Sequence, residues 1–436
     1  METAIQRRLE QNDGESSSFT IFRVPAQVRH ENRQHYEPRL VSIGPYYRGR
    51  DELRAMEQHK WRLLRHFLQR AATVPLSDFM RAVRAVEQRA RCCYSERTAI
   101  FDDDDDDDGF AEMLLLDGCF ILEFFFKLNC REPDALCDVG WGLPLLHSDL
   151  LLLENQIPFF VVETLFHAFF GGAVAQDMLV ALLLLQLRPN GIVFPKLPSS
   201  CPAPAPTGKI NHLLHLYHEG FVPKPHAPLA TAPSRQEGAS RRLPLVIPCV
   251  TMLREAGVRF VNKRSPRDMF DITFDSNKGV LELPPVAIDQ ASLPLLVNLV
   301  AFEQSRGHTG GAAAAPLTSY TVLLSSLVRT GDDVDELHRA GIVDNMLSNN
   351  DDAASGFFQR LGDCSTMNYD DHLFGALFAG VKRYHDASWH RHKARFLRDH
   401  CSNPWSVIAL GLAVLAFVFS LFNQLVVIHS LIHHNG

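Results

Sequence analysis

Four carboxylates stand within or beside apolar runs: Asp117 and Glu123 in LLLDGCFILEFFF, Asp149 and Glu154 in DLLLLENQIPFF. A carboxylate withdrawn from water has its pKa raised, which suits it to acid–base catalysis near neutral pH. The same residues can instead cap helices or pair with Arg and amide partners in a core. The chain offers no nucleophile elbow, no Gly-rich phosphate loop and no HExxH pair, so nothing supplies the reacting partner that such a base would serve. The structural reading is the stronger, and no catalytic residue is assigned.

Three further patterns raise metal chemistry. His212, His215 and His218 recur every three residues in NHLLHLYHEG. Zinc sites on helices use i, i+4 histidines with a distant third ligand, and each step of three falls about 60° short of a full turn, so the trio does not converge on one ion. The seven aspartates of FDDDDDDDGF lack the alternating ligands and mid-loop glycine of a calcium site and read as a solvated loop. Nine cysteines are irregularly spaced with no C-x-x-C, which argues against zinc or a disulfide scaffold. No cofactor or metal is expected.

The most informative polar cluster is Glu154, Asn155 and Gln156, followed by Pro158, inside LLLENQIPFFVVETLF. A lipid-facing helix would not hold three such side chains, because an unpaired polar group in hydrocarbon costs several kcal/mol. Proline pushes Ile157 out of the αR region, so one helix is expected to end near Asn155 or Gln156 and Pro158 to open the next. The orphan backbone groups of that junction need partners, which the triplet can supply. A second cluster, Asn298, Glu303 and Gln304 in NLVAFEQS, costs least if it packs against the first or shares helix ends with it. These residues are read as a structural polar joint.

The elements that must position them are mostly helical. Hydrophobic content of 46% with 21% charged residues is that of a folded protein. The net charge of −7 is matched by Asp102 to Asp108 alone, so neither nucleic acid nor another strongly charged partner is implied. Residues 1–18 are polar and expected to be disordered. DELRAMEQHKWRLLRHFLQR places Leu53, Met56, Trp61, Leu64, Phe67 and Leu68 near one helical face, and LSDFMRAVRAVEQRARCCY follows with Ser77 or Asp78 as its cap. The apolar runs between Glu112 and Leu187 are broken by polar residues too often to span a bilayer and read as core helices. Pro/Ala-rich linkers cover 195–209 and 221–246, and the acidic loop 101–109 is variable in character. Alternation on either side of SNKG predicts a β-hairpin within 269–286. The expected fold is mainly α with a small β-hairpin (α+β), a helical body over 19–400.

The segment WSVIALGLAVLAFVFSLFNQLVVI is charge-free and about 36 Å long as a helix, enough for a hydrocarbon core of about 30 Å. Residues 404–428 are therefore expected to form a transmembrane helix, with Asn403 as cap, Pro404 in the first turn, Trp405 at the interface and 429–436 as a short tail. Asn423 and Gln424 either sit near the far interface or join two copies of the chain through hydrogen bonds. Arg391, Lys393, Arg395 and Arg398 precede the span and no Lys or Arg follows it, so the positive-inside rule places the body in the cytosol. The histidine-rich flank from His385 to His400 either gains charge in acid and tightens on anionic headgroups or, more simply, is a basic stop before the membrane. An amino terminus without an apolar stretch argues against a signal peptide, and the absence of Asn-x-Ser/Thr acceptors agrees. The expected arrangement is tail-anchored in the plasma membrane or the endoplasmic reticulum.

Several motifs occur together in order: Val41-Ser-Ile-Gly-Pro-Tyr46, Met56-Glu57 with His59-Lys60-Trp61, Arg-x-Cys-Tyr ending at Tyr94, and Leu116-Asp-Gly-Cys-Phe120. They continue with DLLLLENQIPFF from Asp149 to Phe160, Leu253 to Val258, Asp271-Ile272, Ala301 to Gln304 and Asn403-Pro-Trp405. On these the chain resembles the plant family catalogued as "domain of unknown function 247", from about Phe19 to Ile428. It departs at Val250 to Met252, where a Ser/Thr-rich lead-in is usual, and at the aspartate run. The resemblance implies a single-pass membrane protein with a helical body, no established enzymatic activity and an unknown protein partner. Some grass members reside at self-incompatibility loci as pollen-side recognition determinants. The expected function is a non-enzymatic recognition or signalling scaffold; a pollen-side determinant and a membrane-bound hydrolase using the buried carboxylates are the alternatives.

Overall fold

The computed structural model describes residues 19–96, 109–172, 176–187, 209–223, 246–306, 315–347, 351–365, 373–387, 412 and 415–424. The tail 1–18, the aspartate run, most of both Pro/Ala linkers, the tail 429–436, and Arg391, Lys393, Arg395, Arg398, Pro404 and Trp405 lie outside them.

The first described helix, α1 (Ala26–Tyr36), leads into an extended stretch and a 3-10 turn at Asp51–Leu53, from which α2 (Arg54–Arg70) continues. The apolar face of α2 buries Met56, Leu63, Leu64 and Phe67. Here the sequence reading needs correcting: Trp61 is 50% exposed, while Lys60 turns into the core. A carboxylate on a neighbouring helix draws the lysine inward, which hydrophobic periodicity does not register. Helix α3 (Leu76–Arg91) is preceded by Pro75 at its N-cap, and neither Ser77 nor Asp78 caps it. Proline has already fixed an extended φ there and supplies the break itself.

Helix α4 (Gly109–Cys130) buries most of its length, because it is apolar all round and must be enclosed by neighbours. It packs against α2, α3, α6 (Phe159–Phe169) and α7 (Gln176–Gln186). Gly118 gives α6 its close approach, since a Cβ there would meet Leu165 at 2.4 Å. Between α4 and α6 lies α5 (Gly142–Leu150). Beyond them, α8 (Leu213–Phe221) and α9 (Val250–Glu255) lead into the strands.

Strands β2 (Thr273–Asp275) and β3 (Val280–Leu283) form an antiparallel hairpin around SNKG. Strand β1 (Arg259–Asn262) adds in parallel to the other edge of β3, giving the order β1-β3-β2. A second, two-stranded parallel sheet pairs β4 (Val286–Ile288) with β5 (Val343–Asn345). These parallel pairings escape a sequence reading because the strands are three or four residues long and their partners are distant in the chain.

Around them stand α10 (Ser292–Ser305), α11 (Pro316–Leu327), α12 (Gly331–Arg339), α13 (Asp351–Asp363) and α14 (Gly375–Asp386). Helix α10 packs on α1, α8, α11 and α13, and so joins the amino-terminal segment to the rest of the core. The architecture is mainly α with small β sheets. Among the described residues no helix is long and apolar enough to cross a membrane. Of the expected span 404–428, Leu412 and 415–424 are described; they are helical and exposed, Asn423 and Gln424 included, and the remainder lies outside the described residues.

Candidate functional site: a buried polar joint

Helix α5 ends at Leu150, earlier than the sequence suggests, and the chain turns through 151–155 before Pro158 caps α6 from outside. Pro158 is thus the N-cap and Phe159 the first helical residue. Its carbonyl still accepts from Val161 at 3.0 Å, while the Phe159 N–H donates to Asn211 at 2.7 Å. The earlier ending of α5 has a local cause. Its last carbonyls are taken by the side chains that follow: Asn155 Nδ2 donates to Asp149 O at 2.9 Å and Gln156 Nε2 to Leu150 O at 2.8 Å, the latter also reaching Leu152 O in the turn at 2.8 Å. Side-chain amides do here what further helical N–H groups would otherwise do.

The other ends of these amides reach distant segments. Asn155 Oδ1 accepts from Ile43 N at 2.7 Å and its Nδ2 also donates to Val41 O at 3.0 Å. Gln156 Oε1 accepts from Leu214 N at 3.2 Å, at the start of α8. Glu154 accepts from Val24 N at 2.8 Å, from Arg29 at 3.3 Å and from the Tyr47 hydroxyl, with Arg23 at 3.9 Å. Asp149 accepts from the consecutive N–H groups of Arg39, Leu40 and Val41 at 3.1, 2.6 and 2.9 Å. The loop 151–156 is in effect a spool around which the segment 24–47 is wound. Gly44 shows how tightly: its φ is +78°, and a Cβ there would meet Gln156 O at 2.3 Å.

The second cluster divides. Asn298 joins the first, its Oδ1 accepting from Leu153 N at 2.8 Å and its Nδ2 donating to His35 O and Pro294 O at 2.7 and 2.8 Å. Glu303 faces elsewhere. It accepts from Leu317 N, Thr318 N and the Thr318 hydroxyl at the start of α11, and lies 3.0 Å from His218 Nε2. Gln304 donates to Cys364 O at 2.9 Å, beyond α13. Only Asn298 of the three therefore reaches the loop that carries the triplet, and it does so at Leu153. Glu303 and Gln304 lie five and six residues beyond Asn298, so the three leave α10 on different sides and meet different neighbours.

The two remaining carboxylates are held by cations. Asp117 pairs with Lys60 at 2.7 Å and accepts from Gly44 N at 2.8 Å. Lys60 also pairs with Glu57 at 2.7 Å. Glu123 takes a bidentate pair from Arg70, at 2.9 and 3.0 Å, and the same guanidinium reaches Glu132. Burial is the largest influence on Asp117 and on Asp149 and leaves both above the usual carboxylate range, although Lys60 and the backbone donors pull the other way. As partners of these carboxylates, Lys60, Arg70, Tyr47 and His218 are not identified by the sequence reading, which takes His218 only as one of three regularly spaced histidines. Lys60 alone carries a visible signal, a lysine spaced four residues from Met56 and from Leu64 on the buried face.

His212, His215 and His218 are all buried. Their ring centroids lie 5.2, 5.0 and 5.4 Å from that of Phe302. His212 caps α8 through Nδ1, which accepts from His215 N at 3.2 Å, and burial lowers its pKa to about 3. Among the described residues, no group of three or more His, Cys, Asp or Glu side chains is placed to hold a metal ion.

The family DUF247, described as "Plant protein of unknown function", matches residues 21–419. UPF0481 protein At3g47200 of Arabidopsis thaliana is 29% identical over 434 residues, covering 95% of this chain and 87% of that protein. Putative UPF0481 protein At3g02645 of Arabidopsis thaliana is 23% identical, covering 95% of this chain and 91% of its own length. No solved structure matches the chain.

Proposed function

The chain belongs to the plant family of unknown function DUF247, and from that premise we propose that it is a non-enzymatic scaffold whose folded body is presented at a membrane to a protein partner. One observation carries the non-enzymatic reading. Each buried carboxylate suited to acid–base work is already engaged: Asp149 by three backbone N–H groups, Glu154 by Val24, Arg29 and Tyr47, Asp117 by Lys60, Glu123 by Arg70. A general base needs its acceptor oxygens open to a substrate proton. These oxygens are spent on holding segments together.

The membrane part of the reading rests on the charge-free sequence Trp405 to Ile428 and on the four basic residues between Arg391 and Arg398. They favour an inserted helix with the body on the cytosolic side. Removal of residues 405–436 is expected to release the chain from alkaline-washed membranes; a truncated chain that stays in the pellet overturns the anchor. On sealed microsomes, added protease is expected to digest an amino-terminal tag, and complete protection of the tag reverses the orientation. Proximity labelling from the body in the plant identifies the partner. A turnover activity abolished by Gln156→Leu without loss of stability would replace the scaffold with the hydrolase reading.

A further inference from the structure

The loop that leaves β1 reads Lys263-Arg264-Ser265-Pro266-Arg267, the one place in the sequence where Ser or Thr precedes Pro. Ser265 and Arg264 are exposed, and the Arg267 side chain is 63% exposed. The loop is nevertheless held at both ends. Lys263 N donates to Leu283 O at 2.9 Å at the end of the sheet. On the other side Met269 is 2% exposed, and the Phe270 ring lies 5.8 Å from Tyr320. A serine hydroxyl is thus displayed to solvent from a short loop whose ends are fixed, with proline directly after it.

The loop's charges converge on one carboxylate. Asp271 receives Lys263 Nζ at 2.8 Å, Arg267 Nη2 at 3.3 Å and Arg267 N at 3.1 Å. These donors hold its carboxyl at about 2, below the usual range, against the opposing influence of burial. In this stretch Lys263, Arg264 and Arg267 outnumber Asp268 and Asp271, which leaves it able to accept a further anion. A phosphoserine dianion opposite such a cluster makes charge-assisted hydrogen bonds.

We propose that Ser265 is a phosphorylation site for a proline-directed serine/threonine kinase, and that the phosphate is held by Lys263 and Arg267 in competition with Asp271. The γ-phosphoryl of ATP passes to Ser265 Oγ, the Oγ–P bond forming as the bond to ADP breaks, and the hydroxyl proton leaves to the kinase base. Nothing in this chain catalyses the step. Its own residues present the hydroxyl and bind the product, and the Lys263–Asp271 clamp at the exit of β1 loosens as the cations divide between two anions.

The test uses the purified full chain in detergent micelles with Mg-ATP and a proline-directed kinase, followed by peptide mapping. Close to one phosphate per chain is expected at Ser265, with at least tenfold less in Pro266→Ala and none at this position in Ser265→Ala. Labelling of Ser265 only after the protein is unfolded overturns the site, because the folded loop would then be hiding it. A second measurement tests the cation clamp. The 31P signal of the folded phosphoprotein is expected to titrate at least half a pH unit below the ordinary second ionisation near 6, and to return toward it in Lys263→Met/Arg267→Gln. An ordinary value in the unmodified background overturns the proposed grip on the phosphate.

Discussion

Asp149 and Asp117 are both buried carboxylates near the same amino-terminal segment, yet they are held in opposite ways. Asp149 has backbone N–H groups as its partners, three in succession from Arg39 to Val41. Asp117 has the buried ammonium of Lys60. Glu303 follows the first pattern at the start of α11, and Glu123 follows the second with Arg70. The contrast separates two tasks. Backbone donors cannot move away from their own chain, so an anion that takes them fixes an irregular segment in place. Side-chain cations join regular elements, and both of these pairs fasten α2 to α4. At these four sites the backbone-held anions fix a loop or a helix start, and the cation-held anions fasten one helix pair.

The largest effect should come from breaking a cation-held anion. Lys60→Met leaves Asp117 buried with only Gly44 N as a strong donor, and removal of one partner from a buried pair costs about 3–5 kcal/mol. The expected outcome is a large fall in the denaturant midpoint, followed through tryptophan fluorescence. Lys60→Met/Asp117→Asn should recover part of it, since the uncompensated charge is gone. A double variant no better than the single one would mean that packing around Lys60, and not its charge, holds α2.

The irregular side of the comparison is sharpened by Gln156→Leu. The substitution keeps most of the volume but leaves Leu150 O, Leu152 O and Leu214 N without their amide partner. Buried groups so orphaned cost about 1–3 kcal/mol each before relaxation, and relaxation of the loop should bring the total to about 2–3 kcal/mol. Faster proteolysis within 24–47 should accompany the loss. Unchanged protection of that segment would separate the loop 151–156 from the winding of the amino-terminal chain.

Part of this arrangement is legible in the sequence. The polar triplet at 154–156, inside an apolar run and followed by proline, indicates a buried junction. Helix α4 and the hairpin around SNKG follow equally from periodicity and turn chemistry. The wrapping of 24–47 around 149–156 was not legible, because its partners are backbone groups more than a hundred residues away and backbone donors carry no residue identity. Lys60 was missed for a related reason. A lysine in an apolar stripe looks like the edge of that stripe until Asp117 is known to face it. Helical spacing puts Asn298, Glu303 and Gln304 on different sides of α10, but which segment lies against each side depends on how α10 crosses α1 and α11, which the sequence does not determine.

Acid should distinguish the groups by sign. Arg62 and the N–H of Leu136 bind Asp134 and hold it at about 2, below its ordinary 3.8. That stabilisation is complete above about pH 4 and is lost as pH falls toward 2, about 2 kcal/mol at most given the partly exposed arginine. Asp149 is raised, so its proton is taken up more readily in the folded state, and its contribution runs the other way. His147 and His212, lowered by burial to about 4 and about 3, are neutral when folded. The unfolded chain gains their protons first, so stability falls from about pH 6.5 downward until the folded values are passed. A stability profile measured between pH 7 and 3 should therefore decline well before the carboxylates titrate. His147→Gln should flatten the upper part of that decline, and a decline starting only below pH 4.5 would mean that these imidazoles charge without cost.

The smallest effect should come where a cap and a backbone-held anion share one helix start. Asp333 accepts from Thr251 N, Arg329 N and Thr330 N at 2.8, 3.0 and 3.0 Å, and the Thr330 side chain completes a capping box by accepting from the N–H of Asp333. Thr330 is exposed, so water can take over the N–H that Thr330→Ala leaves. A lost cap of this kind costs about 1 kcal/mol. Asp333→Ala removes the acceptor for three backbone N–H groups and the Thr330 hydroxyl and should cost at least twice as much, loosening α9 from α12 as well as fraying α12. Hydrogen exchange at Thr251 reads the difference: it should rise in Asp333→Ala and stay unchanged in Thr330→Ala. If both variants raise it equally, the helix cap holds α9 in place, and the backbone-held anion does not have the long-range role seen at Asp149.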